Sequence, residues 1–264
     1  MNLPVRIGMD TSKSVFQLHG VDENEVEFVF DHHQPRRYQR AVPRRQPLRR
    51  QPRADARRLP DYKAPIVRNG ADGRDLATAR WGMPSSGQAL LQATKKRADK
   101  LQAKGKTVDF KELLRMEPDG GTTNIRNVKS KHWTRWLGVE NRCVVPFNSF
   151  SEFNKAEGGD IWFALDETRP LACFAGIWTN WTSVRKVKEG ETTNDLYAFL
   201  TTEANAEVFA IHPKAMPVIL TTPEEIESWM TAPLEEALKL QRPLPGGTLR
   251  IVARGVKEDQ AAAA

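Results

Sequence analysis

The sequence predicts an α+β fold: a curved, mainly antiparallel, barrel-like β-sheet core flanked by short helices. Three observations carry this expectation. Short apolar runs rich in β-branched and aromatic residues recur at 143–147, 161–165, 171–178, 196–201, 217–220 and 249–253, each bounded by turn residues. The helix signals between them are short. No regular alternation of strand and helix and no internal repeat is visible.

The elements follow in order. Val5 to Asp10 and Ser14 to Gly20 read as a hairpin around Thr11-Ser12-Lys13, with a third short run from Val26 to Phe30. Residues 31–60 hold ten arginines against two acids and five prolines, a composition that predicts disorder. From Asp61 the text becomes that of a globular domain. Ala64 to Arg68 and Leu76 to Trp81 read as strands around a Gly70–Gly73 turn. Residues 88–103 read as a lysine-rich helix, and Asp109 to Met116 as a second one closed by Pro118-Asp119-Gly120-Gly121. Thr222-Pro223-Glu224-Glu225 carries Thr at the N-cap, Pro at the first position and Glu at the third, so a helix runs from there to about Met230. Another is expected over Leu234 to Leu240, stopped by Pro243 and Pro245. The expected organisation is 1–30 as an N-terminal hairpin unit, 31–60 as a disordered segment, 61–256 as the folded domain and 257–264 as a tail.

Composition narrows the function classes. The Arg/Pro segment carries +8, so the other 234 residues sum to −1 of the chain's +7. The basic character belongs to one stretch, read either as an arm that grips phosphates or as a segment without evolved structure. No apolar run is long enough to cross a bilayer, and no secretory leader is visible at the start. Two distant cysteines make no disulfide framework, and with scattered histidines they make no zinc site. A reduced, cytoplasmic protein without cofactor or metal is expected, and a monomer.

Four segments in register carry the chemistry. They are Arg80-Trp81-Gly82-Met83-Pro84, Thr123-Asn124-Ile125-Arg126-Asn127, Arg142 to Phe153, and Ile211-His212-Pro213-Lys214-Ala215-Met216-Pro217-Val218-Ile219-Leu220. Together they resemble the SRAP family, the SOS-response-associated peptidases that process abasic sites. The resemblance implies a partner, single-stranded DNA with abasic sites, and a nucleoid-associated location. It also implies a self-processing peptidase whose N-terminal cysteine closes a thiazolidine with the ring-opened sugar. No cysteine precedes Cys143 here, so that nucleophile is missing from this sequence.

By the resemblance, Asn124 holds the sugar, Glu152 moves protons and His212 assists ring opening. Trp81 stacks on a base, and Arg126 and Lys214 contact phosphate. Asn124 and Arg126, two apart, are expected on one strand face. Each position also has a plain structural reading: a turn cap for Asn124, a solvated acid for Glu152, a satisfied histidine for His212 and a core ring for Trp81. Cys143 and Cys173 sit in apolar runs and read as core. Separately, Ile7 to Gly20 resembles the first hairpin of a family of insertion-sequence transposases, with Asp10 as that family's metal ligand; no partner acids follow it.

Overall fold

The computed structural model describes residues 6–10, 15–19, 61, 63–71 and 73–256. The chain begins with the antiparallel hairpin β1 (Arg6–Asp10) and β2 (Val15–His19), in register Arg6 with His19. The third run of 26–30, the Arg/Pro tract of 31–60 and the tail of 257–264 lie outside the described residues. The folded unit runs β3 (Lys63–Gly70), β4 (Gly73–Trp81), α1 (Gly87–Gln102), α2 (Phe110–Arg115), β5 (Asn124–Ile125), α3 (Lys131–Thr134) and β6 (Arg142–Phe147). It continues through β7 (Phe150–Asn154), β8 (Gly159–Ala164), β9 (Ala172–Val184), β10 (Glu191–Thr202), α4 (Ala206–Phe209), β11 (Met216–Pro217) and β12 (Ile219–Leu220). It ends in α5 (Pro223–Thr231), α6 (Leu234–Ala237) and β13 (Arg250–Arg254).

The fold is α+β around a closed, mixed barrel. β3 pairs antiparallel with β4 and β6, β6 with β9, and β9 with β10; β10 then closes the ring on β4 in parallel. The parallel pair has a topological reason. A ring of five strands is odd, so strict up-and-down alternation cannot close it and one neighbouring pair must run the same way. β5 adds to β10 in parallel, while β11 and β12 extend the sheet antiparallel on β10 and β9. β13, β8 and β7 form a separate antiparallel sheet.

Alternation along the strands divides the core in two. Cys143, Val145 and Phe147 of β6, Phe174 of β9, and Tyr197 and Phe199 of β10 point to one cluster, which also takes Trp81 and, from the small sheet, Phe150, Ile161 and Phe163. Val144, Cys173, Ala175, Ile177, Leu196, Ala198 and Leu200 point to the other face, where Trp229 and Met230 of α5 and Trp133 of α3 cover them. Strands buried on both faces explain why these runs read as continuous apolar text. The first cluster is aromatic: Phe147 stacks on Phe174 at 4.0 Å between centroids, and Phe174 meets Phe199 at 5.2 Å.

Arg142 joins barrel and helices. It is 1% exposed. Its Nε donates to the Leu137 carbonyl at 2.9 Å, and its Nη1 donates to Trp229 O at 3.0 Å and Ala232 O at 2.6 Å. Trp229 Nε1 reaches back to the carbonyls of Cys143 and Gly176. The guanidinium therefore serves carbonyls at the end of α5 that no helical N–H can reach.

Candidate functional site

The site is built on the ends of β4 and β5 and on β7. Where β4 ends, the chain turns through Gly82 (φ 126°) and meets Gly121 (φ 76°). A Cβ on Gly121 would lie 2.8 Å from Gly82 Cα, so both the backbone sign and the close approach require glycine. Met83 and Thr122 exchange both backbone hydrogen bonds, at 2.9 and 2.8 Å. Arg185, 5% exposed, clamps this junction from the far side. Its Nε donates to Asp61 Oδ1 at 2.9 Å, its Nη1 to Gly82 O at 3.2 Å and its Nη2 to Gly120 O at 3.4 Å. Asp61 also accepts from Arg80 and pairs with Lys186. Asp119 takes the amides of Gly121 and Ser85. The result is a fixed platform from which Thr123 hands the chain to Asn124.

The Asp61 cluster gives a pH prediction. Burial alone would raise its pKa, but hydrogen bonds from Arg80 and Arg185 and the charge of Arg185, with a further bond from Lys186, outweigh it and hold the carboxyl below its ordinary 3.8. A depressed carboxylate stabilises the fold above its ordinary pKa, and that contribution is lost as pH falls through the folded value. Wild type should therefore lose more stability than Asp61→Asn between pH 6 and pH 3. Thermal melts at the two pH values measure the difference, and equal losses would rule the cluster out as an acid-sensitive clamp.

Asn124 and Ile125 form β5, beside Phe199 and Leu200 of β10. Asn124 is half-buried, Ile125 buried and Arg126 exposed, so the side chains alternate as the spacing implies. The Asn124 Oδ1 atom is buried and accepts no hydrogen bond from the described residues. Glu152 lies mid-way along β7 opposite Ile161, on the same strand face as the core residue Phe150, and is 0% exposed. His212 follows α4, whose first turn is capped by Asn205 Oδ1 on Val208 N at 3.2 Å. The His212 amide donates to Val208 O at 2.7 Å, which turns the imidazole inward. Its Nδ1 stands 3.9 Å from Glu152 Oε2.

Two contacts tie the segments together. Arg126 Nη1 donates to Lys214 O at 2.6 Å, two residues beyond His212, and His212 meets Glu152. Gln241 Nε2 fixes the same corner by donating to Arg126 O and Thr201 O. Arg126 is half-exposed and Lys214 exposed. The two cations thus share one rim, with Glu203 3.7 Å from the Arg126 guanidinium.

Trp81 stands apart from this group. It is 0% exposed, its ring lies parallel to Phe199 at 5.7 Å, and its Nε1 donates to Thr123 O at 3.0 Å. The face expected to take a base is packed against the barrel. Its indole instead holds the residue before Asn124, so it positions the site from within the core. The clamp residue Arg185 went unforeseen. It lies in Ser183-Val184-Arg185-Lys186, where no local pattern separates it from a surface arginine. Cys143 and Cys173 are buried, and burial pushes both thiols well above their ordinary 9.0, with a small opposing effect of Arg68 on Cys143. Neither supplies a thiolate. Among the described residues no cluster of His, Cys, Asp and Glu has a metal-binding arrangement, and no helix is long and apolar enough to cross a membrane.

No curated protein matches. Among solved structures, a protein from Bacteroides thetaiotaomicron is similar at 20% identity, over 72% of this chain and 72% of that one, with a TM-score of 0.49. A protein from Bordetella bronchiseptica is similar at 23% identity, over 72% of this chain and 83% of that one, also at 0.49. The family described as SOS response associated peptidase (SRAP) matches residues 28–258. A match over most of the chain makes the assignment: this protein belongs to the SRAP family.

Proposed function

We propose that this chain binds single-stranded DNA at abasic sites and holds the lesion without a thiol bond. Family membership supplies the link to DNA damage. The observation that carries the reading is the approach of His212 to Glu152, 3.9 Å apart with the carboxyl fully buried. An abasic sugar opens when a base takes the proton of its anomeric hydroxyl, an acid protonates the ring oxygen and the bond between that carbon and the ring oxygen breaks. A carboxyl and an imidazole 3.9 Å apart supply one group to take a proton and one to give it. Asn124 Oδ1, buried and without a donor, favours a sugar hydroxyl as its partner. Arg126 and Lys214 on the rim suit the flanking phosphates. We place the protein with chromosomal DNA, acting as a monomer in the cytoplasm.

Capture by the family's cysteine chemistry needs a thiol beside an α-amine. Cys143 and Cys173, the two cysteines of the sequence, are internal and buried. The same lack bears on peptide cleavage by a cysteine nucleophile. The test is one binding mixture with an abasic oligonucleotide, run on a native gel and, after heating in SDS, on a denaturing gel. A native shift that vanishes in SDS and weakens with salt is expected. A band that survives SDS would show covalent capture by another group, and no shift on either gel would end the reading.

A further inference from the structure

Helix α1 has an outward face that the site does not use. Its inward face is set by Leu90, Leu91, Thr94, Ala98 and Leu101, partly or fully buried, and by Arg97, which pairs with Glu117 at 3.4 Å. Lys96 and Lys100 stand on the opposite side and Lys104 follows in the turn just past the helix end, all exposed and none ion-paired among the described residues. Within the helix Lys96 and Lys100 are four residues and about 6 Å apart at 1.5 Å rise per residue. That is close to the phosphate step of an extended single strand. Lys95 lies beside the row, and Asp99 is the one acid on this stretch of the helix. Like charges at four-residue spacing cost a helix a few tenths of a kcal/mol per pair. Lys100, in the last turn, also lies where a cation favours the helix dipole.

The helix also starts in the right place. It leaves the chain just after Met83, whose backbone pairs with Thr122, and Thr123 leads from there to Asn124. Helix and candidate site thus depart from one bridge. α1 itself presents no exposed large apolar residue, which a helix lying on a membrane needs. We propose that Lys96, Lys100 and Lys104 form a phosphate track for the DNA strand as it leaves the candidate site. This inference rests on the DNA-binding reading above.

Fluorescence anisotropy on the full chain tests it with two abasic oligonucleotides, one of about five nucleotides that spans only the site and one of about twenty. The triple variant Lys96→Gln/Lys100→Gln/Lys104→Gln should bind the long strand at least about tenfold more weakly at 0.1 M salt. The slope of log K against log salt should fall by about 2, and short-strand affinity should stay unchanged. Arg126→Ala should weaken both strands. A control removing Lys63, Lys155 and Lys188 should do neither. The track is overturned if the triple variant and the control behave alike, or if the triple variant weakens short and long strands equally. In those outcomes binding by wild type and loss in Arg126→Ala still uphold the site. Failure of wild type to bind either strand overturns both. Stronger capture by phosphatidylglycerol/phosphatidylcholine vesicles, through Phe110 and Leu114 of α2, or by polyglutamate would reassign the lysine face and overturn the track.

Discussion

Replacing Arg142 with methionine is expected to lower the unfolding free energy by about 3–5 kcal/mol. Methionine keeps an apolar stem but removes every donor. The carbonyls of Leu137 and Trp229 then lose a buried partner, and that of Ala232 a partly buried one. An opposing effect exists: burial holds the Arg142 pKa below its usual range, so the folded state bears a desolvation cost that the variant escapes. The loss wins because the acceptors stay behind, and each orphaned carbonyl costs about 1–3 kcal/mol. Arg142→Lys should fall between, keeping the charge but not the planar fork that serves two segments at once. Urea unfolding measures this as a lower midpoint at unchanged slope. A loss under about 1 kcal/mol would mean that the carbonyls find other donors.

Asn124→Leu should move stability and function in opposite directions. The fold should gain about 1 kcal/mol, because a buried oxygen without a donor is replaced by a side chain of similar size that needs none. Affinity for abasic DNA should fall about tenfold, the worth of one well-placed hydrogen bond. Such opposition is what a polar group kept for a ligand produces, since its cost is borne by the free protein. A drop in both quantities would make Asn124 a structural residue of β5. Melting curves and titrations on the same preparation separate the cases.

The elements that local chemistry dictates were legible in the sequence. Thr222-Pro223 starts α5 as its residues require, with Thr222 Oγ accepting from Glu225 N at 3.2 Å. Asp109 caps α2 through the amides of Lys111 and Glu112. The helix expected over 88–103 is α1, Gly87–Gln102, and the stretch from Leu234 forms α6 followed by a single 3-10 turn to Leu240. Gly70 and Gly73 close the β3–β4 hairpin as read. What escaped depends on distant pairing. β5 is two residues long and exists because β10 offers an edge, so no periodicity announces it. The parallel closure of β10 on β4 follows from the ring's odd count, which no segment contains.

The candidate site can be read from the sequence as motifs but not as geometry. Glu152 and His212 are 60 positions apart, and only the packing of the small sheet against the turn after α4 brings them within 3.9 Å. Trp81 was open to both a base-stacking and a core reading, and the structure places it in the core. Its neighbours on β10, Tyr197 and Phe199, decide its exposure, and they lie more than a hundred residues away. Arg185 and Asp61, which hold the Gly82–Gly121 junction, are equally remote from each other in sequence.

The most direct measurement is a pair of equilibrium titrations with one labelled single strand, abasic at its centre or carrying thymine there. The proposed site predicts at least tenfold tighter binding of the abasic strand, a preference that Asn124→Leu and Glu152→Gln reduce while overall salt sensitivity persists. Equal affinity for the two strands would leave a protein that holds DNA by charge alone, and the sugar pocket would be refuted.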